Sequence, residues 1–207
     1  MAETLLIGSG NPKKAAELAH LLEGLPWEVK SLRDFPSVPE PEETGATFEE
    51  NALLKAEYYS AAFGVACLAD DSGLVVDALD GAPGVYSARY AGEDANDVRN
   101  NEKLLDALEE VPWPDRTAHF ACCAALVRPG HPPHIEWGRV HGHISVEAFG
   151  SNGFGYDVVF VPEGHDITFG EMDPAEKHTI SHRGEALGKV RAYLEDHLQG
   201  NDKGNPE

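Results

Sequence analysis

Apolar and polar residues alternate along the chain with two spacings, one typical of strands and the other typical of helices. Short apolar runs predict buried strands at residues 4–8 and 27–32. Between them, apolar residues recur at helical spacing from Ala15 to Leu25, which predicts a helix. Asn11 is a suitable N-cap for this helix, and Pro12 suits its first position. The beginning of the chain is therefore predicted to run strand, helix, strand.

The same two spacings continue to the end of the chain. After a Pro- and Glu-rich loop, Thr47-Phe48-Glu49-Glu50 is a capping box that predicts a helix to about Phe63. A hairpin signal, Pro129-Gly130-His131-Pro132-Pro133, joins two long predicted strands. We predict strands at 65–69, 74–78, 117–128, 134–146 and 156–161, a Gly/Pro-rich loop at 81–93, and helices at 95–110, from Asp173, and from Ser181 to Leu198. The pattern indicates an α/β fold with a mixed β-sheet and flanking helices.

Length and polarity indicate one domain with a short tail. The chain has 207 residues, enough for one substantial core, and contains no linker-like segment. We expect the domain to span residues 1–198 and the polar residues 199–207 to be disordered.

Charge and hydropathy exclude several classes of partner. The net charge of −20 argues against a nucleic-acid polymer, because phosphate backbones require a basic surface. No apolar stretch approaches the roughly 20 residues that span a bilayer, and the N-terminus lacks a signal-peptide pattern. We therefore expect a cytoplasmic protein with no membrane partner. Cys67, Cys122 and Cys123 lie in apolar surroundings and are predicted to be buried reduced thiols.

The segment Ala69-Asp70-Asp71-Ser72-Gly73 is the strongest pointer to chemistry. It places two adjacent carboxylates between two apolar runs, and burying ionised carboxylates is costly without compensating cations or donors. We interpret the segment as an acidic turn between two strands, with one carboxylate facing a cleft and the other bracing the turn. A metal ion or a general base would explain the pair; a hydrogen-bonded turn is the alternative.

Two lysines lie in the first turn of the first predicted helix, within Ser9-Gly10-Asn11-Pro12-Lys13-Lys14. Cations there oppose the helix dipole, and an anionic ligand would remove the conflict. The alternative is that both side chains point into solvent. The acidic loop Glu42-Glu43-Thr44-Gly45 and the pair Asn51 and Lys55 are each compatible with a solvated surface or with a wall of the site.

Two later segments also carry candidate ligand-binding groups. The glycine-rich Gly150–Asp157 lets backbone approach a ligand, and Phe154 is placed to stack on a base, although a plain turn has the same composition. Lys177, His182 and Arg183 surround a helix start, where they again oppose the dipole and would suit carbonyl or phosphate oxygens.

Taken in order, six segments resemble the non-canonical purine NTP pyrophosphatase family, the inosine/xanthosine triphosphate pyrophosphatases. The resemblance covers residue 5 to about 198. The segments are Ser9-Gly10-Asn11-x-x-Lys14, Glu42-Glu43-Thr44-Gly45-x-Thr47-Phe48-x-Glu50-Asn51-Ala52, Ala69-Asp70-Asp71-Ser72-Gly73-Leu74, Gly81-Ala82-Pro83-Gly84-Val85-Tyr86-Ser87-Ala88-Arg89-Tyr90, Gly153-Phe154-Gly155-Tyr156-Asp157 and Ser181-His182-Arg183-Gly184. Val158 stands where the family usually has Pro.

The resemblance implies hydrolysis of ITP, dITP and XTP to the monophosphate and pyrophosphate, with Mg²⁺, by an elongated two-lobed α/β homodimer. It implies that Asp71 is the proton acceptor and that Glu42 and Asp71 hold the metal. It also implies a set of substrate-binding residues, namely Ser9, Gly10, Asn11, Pro12, Lys13, Lys14, Ser72, Phe154, Gly155, Tyr156, Asp157, Lys177, His182 and Arg183.

Three other functions compete with this one. A septum-inhibitor-type pyrophosphatase would act on modified pyrimidine nucleotides, and a phosphatase would release orthophosphate stepwise. A non-catalytic nucleotide-binding protein would bind ITP without turnover. Donors from Lys177, His182 and Arg183 favour a 6-oxo purine over adenine, because adenine presents an amino donor at that position.

Overall fold

A computed structural model of the chain describes residues 3–94 and 96–200, with side chains as far as Asp196. It contains six strands, namely β1 (Glu3–Ile7), β2 (Trp27–Ser31), β3 (Ala66–Val76), β4 (Thr117–Val127), β5 (His134–Ile144) and β6 (Phe160–Pro162). It also contains five α-helices, namely α1 (Pro12–Leu21), α2 (Phe48–Phe63), α3 (Asp97–Ala107), α4 (Pro174–Ile180) and α5 (His182–Gly200). Ala95, the first residue of one predicted helix, and most of the predicted tail lie outside the described residues.

The six strands form one sheet in the order β2-β1-β3-β4-β5-β6. β1 pairs in parallel with both β2 and β3, whereas β5 and β6 are antiparallel. The sheet is therefore mixed, and the predicted fold class is confirmed. None of the described helices is both long and apolar enough to cross a membrane.

The helix starts follow the predicted capping chemistry. Asn11 Oδ1 accepts hydrogen bonds from the N–H groups of Lys13 and Lys14, so the side-chain cap satisfies two donors at the start of α1. Thr47 and Glu50 form the reciprocal capping box of α2. Asp173 caps α4. The three predicted helix caps are therefore confirmed. They could be predicted because each cap depends only on residues within one helical turn of each other.

The chain divides into two compact units. Among the described residues, the first comprises 3–71, 123–137 and 186–200, and the second comprises 72–94, 96–122 and 138–185. Buried residues of the first unit include Leu6, Tyr59 and Cys67. Buried residues that pack together in the second unit are Leu74, Val76, Leu104, Leu108, Ala118, Phe120, Ile144, Tyr156, Val159, Phe160, Phe169 and Met172.

Cys67, Cys122 and Cys123 are buried and form no disulfide, as predicted. Burial raises the pKa of the Cys67 and Cys123 thiols to about 12, so both remain protonated at neutral pH.

The prediction of an acidic turn at residues 70–73 is wrong. β3 runs without interruption from Ala66 to Val76, through both carboxylates. Asp70 and Asp71 are only 2% and 6% exposed, and Lys14 and Lys55 compensate their charges within the fold. Because these lysines contact the strand, the two carboxylates can remain buried in it. Asp70 contacts Lys14 and does not brace a turn.

Three further predictions need correction. The strand expected at 156–161 is only Phe160–Pro162, because the N–H groups of Val159 and Phe160 both donate to the Tyr156 carbonyl and close a turn. The expected loop at 81–93 contains a 3-10 helix at Gly84–Arg89. Lys177 lies in the last turn of α4, where a cation suits the helix dipole, so it does not break the dipole rule.

Candidate active site

Asp71 is the centre of a buried polar cluster in the first unit. Its Oδ2 accepts a hydrogen bond from Asn51 Nδ2 at 3.1 Å, and its Oδ1 lies 3.5 Å from Lys55 Nζ. Lys55 Nζ also donates to Glu43 Oε1 at 2.6 Å. Next to Asp71, Asp70 Oδ2 lies 3.5 Å from Lys14 Nζ. We call this set, Lys14, Glu43, Asn51, Lys55, Asp70 and Asp71, the acidic cluster.

Burial and charge oppose each other within the acidic cluster. Burial raises the pKa of Asp71, although Lys55, Lys14 and Asn51 act in the opposite direction. Burial alone would lower the pKa of Lys55, but the carboxylates of Asp71, Asp70 and Glu43 outweigh it and leave the pKa raised. Lys55 is therefore a permanent cation at neutral pH, and Asp71 is a better proton acceptor than a solvated aspartate.

Helix α2 positions two of the groups around Asp71. Asn51 and Lys55 are four residues apart and lie on one face of the helix, and both are buried. Asn51 Oδ1 accepts from the Gly45 N–H at 2.8 Å, while its Nδ2 donates to Asp71. Because both side chains are buried, the solvated-surface interpretation is wrong, and the wall of a site stays a prediction.

The predicted metal ligand Glu42 is exposed. Its neighbour Glu43, which was not predicted to bind the metal, is the residue of this loop that contacts Lys55. Across residues 3–94 and 96–200, no group of three or more His, Cys, Asp or Glu side chains has the arrangement of a metal cage. The carboxylates of the acidic cluster fit Mg²⁺, which takes one or two protein carboxylates and completes its shell with water and phosphate oxygens.

The predicted triphosphate loop lies where β1 leads into α1. Ser9, Gly10 and Asn11 form the turn, in which Ser9 Oγ accepts from the Asn11 N–H at 3.3 Å. Pro12 opens the helix and the Lys13 side chain is exposed. Lys14 is the member of this loop that joins the acidic cluster.

A second cluster lies in the second unit and is rich in hydrogen-bond donors. Lys177 Nζ donates to Asp157 Oδ2 at 2.6 Å, and both side chains are buried. Arg183 Nη2 donates to Ser72 Oγ at 2.9 Å. The Phe154 ring lies 5.3 Å from Lys177 Nζ and 5.6 Å from Arg183 Cζ. We call Ser72, Phe154, Asp157, Lys177 and Arg183 the donor cluster.

The remaining predicted residues of the second unit have separate contacts. The His182 ring is buried and stacks on Phe120, with centroids 4.8 Å apart. Tyr156 donates its hydroxyl proton to the Ser87 carbonyl at 2.8 Å, and burial raises its pKa, which keeps it protonated. Gly155 is bonded to two side chains of α3, Asp97 and Asn101. Sequence patterns did not indicate Asp97 or Asn101, because both bind the backbone of Gly155, which lies 58 and 54 residues further along the chain, respectively.

Comparisons with known proteins identify the family of the chain. The model of the Ham1 family matches residues 5–193. A dITP/XTP pyrophosphatase of Geobacter sulfurreducens is 50% identical over 194 residues, which are 94% of this chain and 96% of that protein. A dITP/XTP pyrophosphatase of Oceanobacillus iheyensis is 47% identical over 191 residues, 92% of this chain and 97% of that protein.

Solved structures give the same result. A HAM1 protein from Coxiella burnetii superposes with a TM-score of 0.87 at 43% identity, covering 94% of this chain and 99% of that one. The Ham1 protein of Staphylococcus aureus gives a TM-score of 0.86 at 38% identity, covering 94% of this chain and 100% of that one. The family match and these relatives confirm the resemblance found in the sequence, and the chain belongs to the Ham1 family.

Proposed function

We propose that this protein hydrolyses non-canonical purine nucleoside triphosphates, ITP, dITP and XTP, to the monophosphate and pyrophosphate, and so cleanses the nucleotide pool. The observation that carries the proposal is Asp71, a buried carboxylate oriented by Asn51 and Lys55. The names of the relatives, dITP/XTP pyrophosphatase, support the substrate class.

Asp71 serves as the proton acceptor for the attacking water. Its raised pKa favours proton uptake, and contacts on both oxygens restrict rotation of the carboxylate. A well-placed general base contributes a rate factor of about 10² to 10⁴.

Asp71 of the acidic cluster and the neighbouring-loop residue Glu42, the pair that the family resemblance implies, would hold Mg²⁺. When bound, Mg²⁺ supplies charge neutralisation on the phosphates and polarises water. Lys14, at the start of α1, together with Lys55, binds phosphate oxygens of the leaving pyrophosphate. The triphosphate contacts the turn formed by Ser9, Gly10 and Asn11 and the first helical residues, Pro12 and Lys13.

The donor cluster recognises the base. Phe154 offers an aromatic face for stacking, and Lys177, His182 and Arg183 donate to the 6-oxo group and nearby oxygens. Ser72, Gly155, Tyr156 and Asp157 complete the substrate-binding set. Adenine would leave these donors facing its amino group, and buried mismatches of that kind discriminate by up to ~10⁴-fold.

A product assay tests the proposed function. The protein is incubated with Mg²⁺ and ITP, XTP, GTP, ATP or dTTP, and the products are identified. We expect pyrophosphate and monophosphate from ITP and XTP, with far slower turnover of the others. Orthophosphate would indicate a stepwise phosphatase, a pyrimidine preference the septum-inhibitor type, and binding without turnover a non-catalytic protein.

Two properties accompany the proposal. We propose a homodimer, which light scattering of the purified protein will test, and a cytoplasmic location. A monomer at all concentrations assayed would remove dimerisation from the proposal while leaving the chemistry of Asp71 intact.

A further inference from the structure

Two side chains of α3 hold both backbone polar groups of Gly155. The Gly155 N–H donates to Asp97 Oδ2 at 2.8 Å, and the Gly155 C=O accepts from Asn101 Nδ2 at 2.8 Å. Asp97 and Asn101 are four residues apart, so they lie on one face of the helix. Asn101 Nδ2 also donates to the Asp97 carbonyl at 2.7 Å. We call Asp97 and Asn101 the α3 clamp.

Gly155 has conformational freedom that the clamp removes. Its φ is +61°, and a Cβ placed there would meet nothing within 4 Å. Glycine loses more conformational entropy on ordering than any other residue. Hydrogen bonds to a charged acceptor are among the stronger ones, so the bond to Asp97 offsets a substantial part of this loss.

The clamp is itself anchored. Asn100 precedes Asn101 in α3. It donates to the Ala88 carbonyl at 3.1 Å and accepts from the Ala91 N–H at 2.8 Å. Tyr156, which follows Gly155, donates to the Ser87 carbonyl in the same segment. Helix α3 and the loop after Gly155 are therefore attached to one common support.

The clamp bears directly on Phe154. On one side of this residue, its N–H donates to Asp157 Oδ2 at 2.8 Å, and the same oxygen binds Lys177. On the other side, Gly155 is held by the α3 clamp. A shift of Gly155 would therefore move the Phe154 ring relative to the cations of Lys177 and Arg183.

We propose that Asp97 and Asn101 are positioning residues for base recognition, holding the Phe154 ring where it stacks on a 6-oxo purine beside the donors. The proposal rests on the proposed function, because it requires Phe154 and its neighbouring donors to contact the base. Neither clamp residue touches substrate itself; both act through Gly155.

The variants Asp97→Ala and Asn101→Ala test the clamp. Each should raise KM for ITP about tenfold with little change in kcat. The fixed position of Phe154 contributes equally to binding in the ground state and in the transition state, so its loss weakens both by the same amount. The ratio of kcat/KM for ITP to that for ATP should fall as well. Asp97→Asn should restore most of the affinity, because its amide oxygen still accepts from the Gly155 N–H.

Asn96→Ala is the matched control. Asn96 caps α3 by accepting from the Arg99 N–H at 3.0 Å, so its loss weakens the same helix while leaving the clamp intact. Its KM should stay at the wild-type value. An equal rise in KM for Asn96→Ala would show that lower stability of α3 explains the effect of the clamp variants, and it would overturn the proposal.

Amide hydrogen exchange of residues 153–157 without substrate provides a reading independent of activity. Exchange should be faster in Asp97→Ala and Asn101→Ala than in wild type or Asn96→Ala. Faster exchange with unchanged KM would overturn the positioning role. Wild-type protein that releases no pyrophosphate from ITP would instead refute the proposed function.

Discussion

The acidic cluster and the donor cluster both bury lysine–carboxylate pairs, but with opposite charge in excess. In the acidic cluster, three carboxylates meet the two ammonium groups of Lys14 and Lys55. In the donor cluster, the single carboxylate of Asp157 meets Lys177, with the Arg183 guanidinium close to the same aromatic ring. The negative excess suits a divalent cation and proton uptake, whereas the positive excess suits substrate oxygens. The sign of the excess charge is therefore the property that distinguishes the two clusters.

The largest effect is expected for Asp71→Asn, which removes the proposed base from the acidic cluster. We expect kcat for ITP to fall about 10³-fold, because an amide cannot accept the proton from water. Circular dichroism should show an unchanged fold. Wild-type turnover in this variant would remove Asp71 from the mechanism and leave the acidic cluster a structural feature.

Lys177→Met breaks the pair in the donor cluster and leaves Asp157 buried without its ammonium partner. We expect the free energy of unfolding to fall by about 3 kcal/mol, measured by urea denaturation. Lys14→Met should cost less, about 2 kcal/mol, because Lys14 is more exposed and lies 3.5 Å from Asp70 rather than 2.6 Å.

The double variant Lys177→Met with Asp157→Asn is the control for that comparison. Removal of both charges should recover most of the stability but none of the affinity for ITP. Equal losses for Lys14→Met and Lys177→Met would show that the two buried pairs are energetically alike.

The pair Glu42→Gln and Glu43→Gln sharpens the description of the acidic cluster. If Glu42 is a metal ligand, Glu42→Gln raises the Mg²⁺ concentration for half-maximal activity about tenfold, since an amide is a weaker ligand than a carboxylate. Glu43→Gln should weaken the contact to Lys55 and lower stability by about 1 kcal/mol. The reverse outcome would assign the metal to Glu43.

The smallest effect concerns pH. Because the folded-state pKa of Asp71 lies above its ordinary value of 3.8, ionisation of Asp71 is less favourable in the folded than in the unfolded state. Wild type should lose stability relative to Asp71→Asn as pH rises from below 3.8 through the folded-state pKa. Thermal unfolding with a chelator present measures the difference; a relative gain by wild type over that range would contradict the sign.

Local signals in the sequence predicted much of the fold. The caps at Asn11, Thr47 and Asp173 depend on neighbouring residues and were correct. The unbroken β3 was not predictable, because the cations that allow Asp70 and Asp71 to stay in a strand come from distant helices. Charge compensation of this kind exists only once the helices have packed.

The same limit applies to the candidate site. The family motifs located Asp71 and the glycine loop, and the spacing of Asn51 and Lys55 placed them on one helix face. No sequence pattern could predict that side chains of α3 bind both backbone groups of Gly155. An Asp and an Asn four residues apart, as at Asp97 and Asn101, are compatible with any exposed helix face.

The two-ended contact of Asn51 has a consequence for proton storage. Because its oxygen is committed to the Gly45 N–H, its nitrogen must face Asp71 Oδ2, and that oxygen can only accept. A proton taken from water would have to reside on Oδ1, which already faces the ammonium donors of Lys55. Asn51 thus decides which oxygen of Asp71 can take up a proton, and that oxygen is the one beside the ammonium group of Lys55.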